Sequence, residues 1–180
     1  MDRTGFKIAL FVADYYDDFE FWYPYYRMRE AGAEVTVIGP KADVFSSKHG
    51  ITARPDRAIG NARAEDYDAL IIPGGYAPDH MRRSPAMVQF VRDMHERGRI
   101  VAAICHAGWM LASAGIIMDK KVTGFYSIKD DMVHAGGKWV DEPVVQDGTI
   151  ITSRSHADLP VFCRQILDAL GVAEPETAHA

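Results

Sequence analysis

Apolar runs alternate with helix-period stretches along this 180-residue chain. Phe6 to Val12 is mostly apolar, with Lys7 near its start, and predicts a central strand. An acidic, aromatic turn from Ala13 to Glu20 follows, then a helix to about Ala31, with Gly32 as its cap. Pro24 is expected within the first turns of that helix, where a missing amide costs least. Glu34 to Gly39 is rich in β-branched residues and predicts a second strand. One βαβ unit is thus complete in the first forty residues, which predicts a parallel sheet.

Val44 to Ile59 suggests a small hairpin or edge excursion around Lys48-His49-Gly50. Ala69 to Ile72 reads as a short core strand closed by Pro73-Gly74-Gly75, and a loop from Tyr76 to Arg83 leads to a helix from Ser84-Pro85 through Arg97. Ile100 to Ile104 is a further buried strand, and beyond His106 the pattern turns to helix formers. Val122 to Phe125 predicts a brief strand. Ser127 and Asp130 have capping-box spacing and open a helix ending near Gly136-Gly137. Trp139-Val140, Val144 to Gln146 and Thr149 to Thr152 read as short strands, with Asp147-Gly148 as a hairpin turn, and Asp158 to Leu170 as the final helix. The expected whole is one α/β domain over residues 1–172, a flavodoxin-like three-layer sandwich with a mostly parallel sheet. A polar tail over 173–180 completes it.

Charge and composition narrow the function classes. The net charge is −5 and basic residues are scattered, with Arg82-Arg83 the only adjacent arginine pair, which argues against a nucleic-acid partner. No segment reaches the apolar length of a membrane span, and the N-terminus lacks a signal peptide's apolar run, so no membrane partner is expected. Cys105 and Cys163 have no metal or redox spacing, which points to reduced thiols and a cytoplasmic location.

Cys105 sits where the Ile100–Ile104 run gives way to helix, with Ala103 and Ala107 two residues either side. This is the cysteine counterpart of the nucleophile elbow, whose tight backbone needs small flanking residues. Helix amides following the cysteine would favour a thiolate. A lone cysteine is also commonly a small buried hydrophobe. The chain has no Gly-x-Gly-x-x-Gly and no Walker lysine motif, and Asp14, Asp17 and Asp18 in the first turn would repel phosphate. The seven histidines form no zinc-type pair, so the expected site is cofactor-free and metal-free. Side chains adjacent on a turn often point apart, so a proton carrier is sought away from His106. Glu20 is well placed if the first strand neighbours the elbow strand; the alternative is a solvated carboxylate in a helix's first turn.

Five stretches together resemble the PfpI-type branch of the DJ-1 superfamily. They are Glu20-Phe-Trp-Tyr-Pro24; Ile71-Ile-Pro-Gly-Gly75 with Ala77-Pro-Asp79; Ala103-Ile-Cys-His106; Ser127-Ile-Lys-Asp-Asp131 with Ala135-Gly136; and Trp139 to Val145 followed by Thr152-Ser-Arg154 and Asp158-Leu-Pro160. The resemblance implies Cys105 as nucleophile with His106 beside it, Glu20 as a protonated acid on the sulfur, and the Gly75 amide as an oxyanion donor. It also implies an acid donated by a neighbouring subunit, here Asp79 where glutamate is frequent, so the shorter side chain must reach further. Tyr126 stands where relatives have proline or a small residue, and would narrow the pocket and offer a hydroxyl.

The implied activity is cofactor-free chemistry on reactive carbonyls: glyoxalase III-like conversion of methylglyoxal to lactate, or deglycation of small-molecule or peptide adducts. An intracellular cysteine peptidase is the second reading, and a redox-sensing or chaperone-like stress protein the third. Eight of the nineteen aromatics lie between Tyr15 and Tyr26, too many for one helix to bury against its own sheet. With the resemblance, this predicts a homodimer or homohexamer.

Overall fold

In the computed structural model the described residues are 5–172, so the predicted tail over 173–180 lies outside them. The chain runs β1 (Lys7–Phe11), α1 (Asp18–Glu30), β2 (Glu34–Gly39), then the short strands β3 (Phe45–Ser46), β4 (Thr52–Ala53) and β5 (Arg57–Ala58). It continues through β6 (Ala69–Ile72), α2 (Ala77–Met81), α3 (Pro85–Glu96), β7 (Ile100–Ile104) and α4 (Gly108–Ala114). The last third holds β8 (Lys121–Val122), α5 (Lys129–His134), β9 (Lys138–Trp139), β10 (Val144–Asp147), β11 (Ile150–Ser153) and α6 (Leu159–Leu170).

Seven strands form one sheet in the order β10-β11-β7-β6-β1-β2-β5. All neighbours are parallel except β10 and β11, which form the hairpin expected at Asp147-Gly148. The central five, β2-β1-β6-β7-β11, have the flavodoxin order, whose crevice lies at the carboxyl ends of the strands where the winding reverses. Helices α1 and α6 pack on one face, and α2, α3, α4 and α5 on the other. Strands covered on both faces have no solvent side, which is why β6 and β7 read as unbroken apolar runs. One core cluster extends from Ile8 to Leu167.

Four local expectations are corrected. Pro24 lies in the interior of α1, not its first turn, and removes the amide that would bond the Glu20 carbonyl. The segment after Gly75 is not all loop, because Pro78 at an early helical position lets α2 form. Of residues 122–125 only Val122 is in a strand, β8, which begins at Lys121 and pairs with β9 outside the main sheet. Ser127 caps nothing: α5 begins at Lys129 after a 3-10 turn, with no side-chain cap. The Ser127 hydroxyl is used elsewhere.

Candidate active site

Three loops meet at the carboxyl edge of the sheet. Cys105, directly after β7, has φ +60°, a left-handed backbone that a residue with a Cβ rarely adopts. This strained turn lifts Sγ out of the sheet, as the elbow predicts. A 3-10 turn over Cys105–Ala107 then leads into α4. After β6, Gly74-Gly75 passes close beneath the elbow. A Cβ on Gly74 would sit 2.4 Å from Glu20 Oε2 and 2.7 Å from Cys105 Cβ, so no larger residue fits. Gly75 has φ +71° and is stitched to the turn after β1 by an antiparallel bridge to Tyr16.

The turn after β1 brings Glu20 inward. Asp17 is the N-cap of α1, its carboxylate accepting from the Phe19 amide at 3.1 Å and the Glu20 amide at 3.2 Å. Glu20 therefore stands in the first helical turn, is 1% exposed, and its Oε2 accepts from the Gly74 amide at 2.9 Å. The same carboxyl lies beside Cys105, the two side chains meeting across Gly74. The three acids that argued against phosphate hold the β3–β4 hairpin instead. Asp14 accepts from the Ser46 amide, Asp17 pairs with Lys48 Nζ at 3.2 Å, and Asp18 with His49 Nδ1 at 2.6 Å.

His106 does not turn away from its neighbour. Its Nδ1 lies 3.2 Å from Cys105 Sγ, and its Nε2 lies 3.2 Å from Ser127 Oγ. Phe125 stacks on the ring at 4.9 Å, and Tyr76 and Trp109 flank it. The Asp79 side chain is on α2, paired with Arg83 of the same chain, and has no bond to His106 within this chain. Tyr126 is 78% exposed and packs on Phe125 at the rim of a pocket of about 470 Å³ that Trp139 and Arg154 also line.

Burial sets the charges here. Desolvation, with the negative charge of Asp17, pushes the Glu20 carboxyl up to about 8, so it is protonated at neutral pH. Burial and Glu20 push the Cys105 thiol up, although the His106 and Gly75 amides pull it the other way. The amides were expected to win, and they do not. Both groups are therefore held protonated at neutral pH. Burial, with the cation of Lys48, lowers the His106 imidazole, which keeps the ring neutral.

Asp17, Glu20 and His156 bring one ligand atom each within 4.8 Å of one another, but Lys48 and two amides already engage Asp17 and the Gly74 amide engages Glu20. Neither Lys48 nor Ser127 is given a place in the site by the sequence. Lys48 reaches the site only through the hairpin's fold-back, which no local pattern encodes, and the capping-box spacing drew Ser127 to a helix start.

A thiol on a strained strand–helix elbow, flanked by a buried acid and an imidazole, defines a cysteine site of the nucleophile-elbow class. The DJ-1/PfpI family profile matches residues 6–169, and the chain belongs to that family. It is 38% identical over 164 residues to a protein of Pyrococcus abyssi named a deglycase, covering 91% of this chain and 99% of that one. It is also 38% identical over 168 residues to protein/nucleic acid deglycase 2 of Escherichia coli, covering 92% of this chain and 98% of that one. A crystal structure of a two-domain Anabaena variabilis protein with DJ-1/ThiJ/PfpI-like and ferritin-like domains superposes with a TM-score of 0.91 at 37% identity. That match covers 97% of this chain and 52% of the two-domain protein.

Proposed function

We propose that the protein is a cofactor-free, cysteine-dependent enzyme acting on reactive carbonyls, converting methylglyoxal to lactate and hydrolysing related adducts. The observation that carries this reading is Cys105 Sγ set between a buried carboxyl held protonated near neutral pH and an imidazole nitrogen 3.2 Å away. The likeness to proteins named deglycases supports the same chemistry.

In this reading the sulfur adds to the aldehyde carbon, and the carbonyl oxygen takes up a proton to give a hemithioacetal. The amides of Gly75 and His106 face the sulfur and stabilise negative charge as it develops. Glu20 or His106 removes the proton from the former aldehyde carbon and returns one to the neighbouring carbon, converting the adduct to a thioester of lactate. Water then cleaves the thioester, releasing lactate and restoring the thiol, so the net reaction consumes one water per methylglyoxal.

The substrate is a small aldehyde or an adduct of one, and the protein works in the cytoplasm as a homo-oligomer. The outward face of α1 supports the last point, since Phe19 and Tyr26 are exposed there beside Trp22 and Tyr23. A peptidase would require Asp79 to leave Arg83 and reach His106 of another subunit.

Cys105→Ala is expected to abolish methylglyoxal consumption and lactate formation, and Glu20→Gln to lower them at least about a hundredfold, the scale of a lost acid–base group. Unchanged turnover in either variant overturns the mechanism. Cleavage of a fluorogenic peptide without lactate formation would replace it with the peptidase reading.

A further inference from the structure

The mechanism leaves one polar contact of the site unused. His106 is held at both ring nitrogens, Nδ1 against Cys105 Sγ and Nε2 against Ser127 Oγ, each at 3.2 Å. Among the described residues no carboxylate bonds the outer nitrogen, and Asp79 is paired with Arg83. From this arrangement we infer that Ser127 is the positioning residue of His106, completing a Cys105–His106–Ser127 array within one chain through a hydroxyl where a carboxylate would otherwise stand.

A hydroxyl differs from a carboxylate in a way that matters here. A carboxylate only accepts, so it would hold the ring hydrogen on Nε2 permanently. A serine hydroxyl both donates and accepts, so it serves either neutral tautomer. When Ser127 O–H donates to Nε2, the ring hydrogen lies on Nδ1 and points at sulfur, stabilising negative charge there. When Nδ1 gives that hydrogen to a substrate oxygen, Nε2 takes the serine proton and Ser127, which is exposed, takes one from water. One proton enters at Ser127 and one leaves at Nδ1, and the ring stays neutral throughout. A neutral ring is what its surroundings favour. The charged or titratable groups around it are Cys105 and Glu20 at the elbow, Lys48 from the β3–β4 turn, the Tyr76 phenol, and Arg82 and Asp131 behind Trp109.

The inference rests on the proposed carbonyl chemistry for its substrate but not for its effect on the thiol, so the test reads the thiol directly. Cys105 is alkylated with iodoacetamide across pH 6–10 and followed by mass spectrometry in the wild type, Ser127→Ala and Ser127→Thr, beside methylglyoxal turnover. Ser127→Ala is expected to slow alkylation at pH 7 about tenfold and move its midpoint upward, the scale of one lost charge-assisted hydrogen bond. Its kcat for methylglyoxal falls with KM unchanged, and Ser127→Thr, which keeps the hydroxyl, follows the wild type. An Ser127→Ala profile that superimposes on the wild type overturns the inference, as does Ser127→Thr behaving like Ser127→Ala. Should the wild type turn over no methylglyoxal, the proposed function fails while the alkylation profiles still decide the role of Ser127.

Discussion

Cys105, Gly74 and Glu20 occupy one small volume, and each is of the type that the other two allow. The elbow holds Cys105 at φ +60°, Glu20 fills the space beneath the sulfur, and only a residue without a Cβ passes between them. Gly74→Ala would place its methyl group 2.4 Å from Glu20 Oε2, 2.7 Å from Cys105 Cβ and 3.1 Å from the Ile104 carbonyl; the glutamate end can swing aside, but the Cβ and the backbone carbonyl cannot. The expected result is a loss of about 1–3 kcal/mol in thermal or denaturant unfolding, the usual cost of overpacking. Cys105 alkylation also slows, because Glu20 is pushed off the sulfur. Wild-type melting and alkylation in this variant would refute that close packing. At this scale the sequence was a good guide to the elbow that carries Cys105 and to Glu20 and Gly74 beside it, and a poor one to the surroundings of His106. Ala103 and Ala107 flank Cys105 where an apolar run gives way to helix, and that combination marks the elbow locally. The pairing of His106 with Ser127 depends on a 3-10 turn over Tyr126–Ile128 that has no sequence signature of its own.

Among elements, the start of α1 carries the most. Asp17 caps the helix and also places a negative charge beside Glu20, while Lys48 on the β3–β4 turn places a compensating cation there. The two charges act on Glu20 in opposite directions, so their removal separates them. Asp17→Asn keeps a capping side chain but loses the charge, and is expected to move the pH midpoint of Cys105 alkylation downward. Lys48→Met is expected to move it upward, each by up to about one pH unit, the scale of one nearby charge. Shifts in the same direction in the two variants would show that the hairpin's position, not its charge, governs the pair. The strands and most helices were legible because apolar period and helix caps specify them locally. Helix α2 was not, because five residues are too few for a period, and the placement of Pro24 was misjudged because the Asp17 cap starts the helix inside a stretch whose acidic residues read as a turn.

For the whole molecule, burying Glu20 ties reactivity to stability. Its carboxyl titrates near 4.5 when the chain is unfolded and at about 8 when folded, so between those values the folded state holds a proton that the unfolded state has released. Stability from this group is therefore complete below pH 4.5 and is lost as pH rises to about 8, on the order of 4–5 kcal/mol over the window. Burial of His95 and His106 acts the other way, lowering both imidazoles and adding stability as pH rises through 6.5. Comparison with Glu20→Gln removes those histidine contributions, because glutamine keeps the shape and the bond from the Gly74 amide while losing the titration. The wild-type Tm is expected to fall relative to Glu20→Gln by roughly 10 °C between pH 5 and 8.5, at about 2–4 °C per kcal/mol for a chain of this size. Parallel melting curves across that range would mean that Glu20 is ionised in the folded protein at neutral pH. It could not then donate a proton to the sulfur. The pH at which Glu20 ionises is the pH at which its burial ceases to stabilise the fold, so a Glu20→Gln protein that melts higher at pH 8 is also one that has lost the acid.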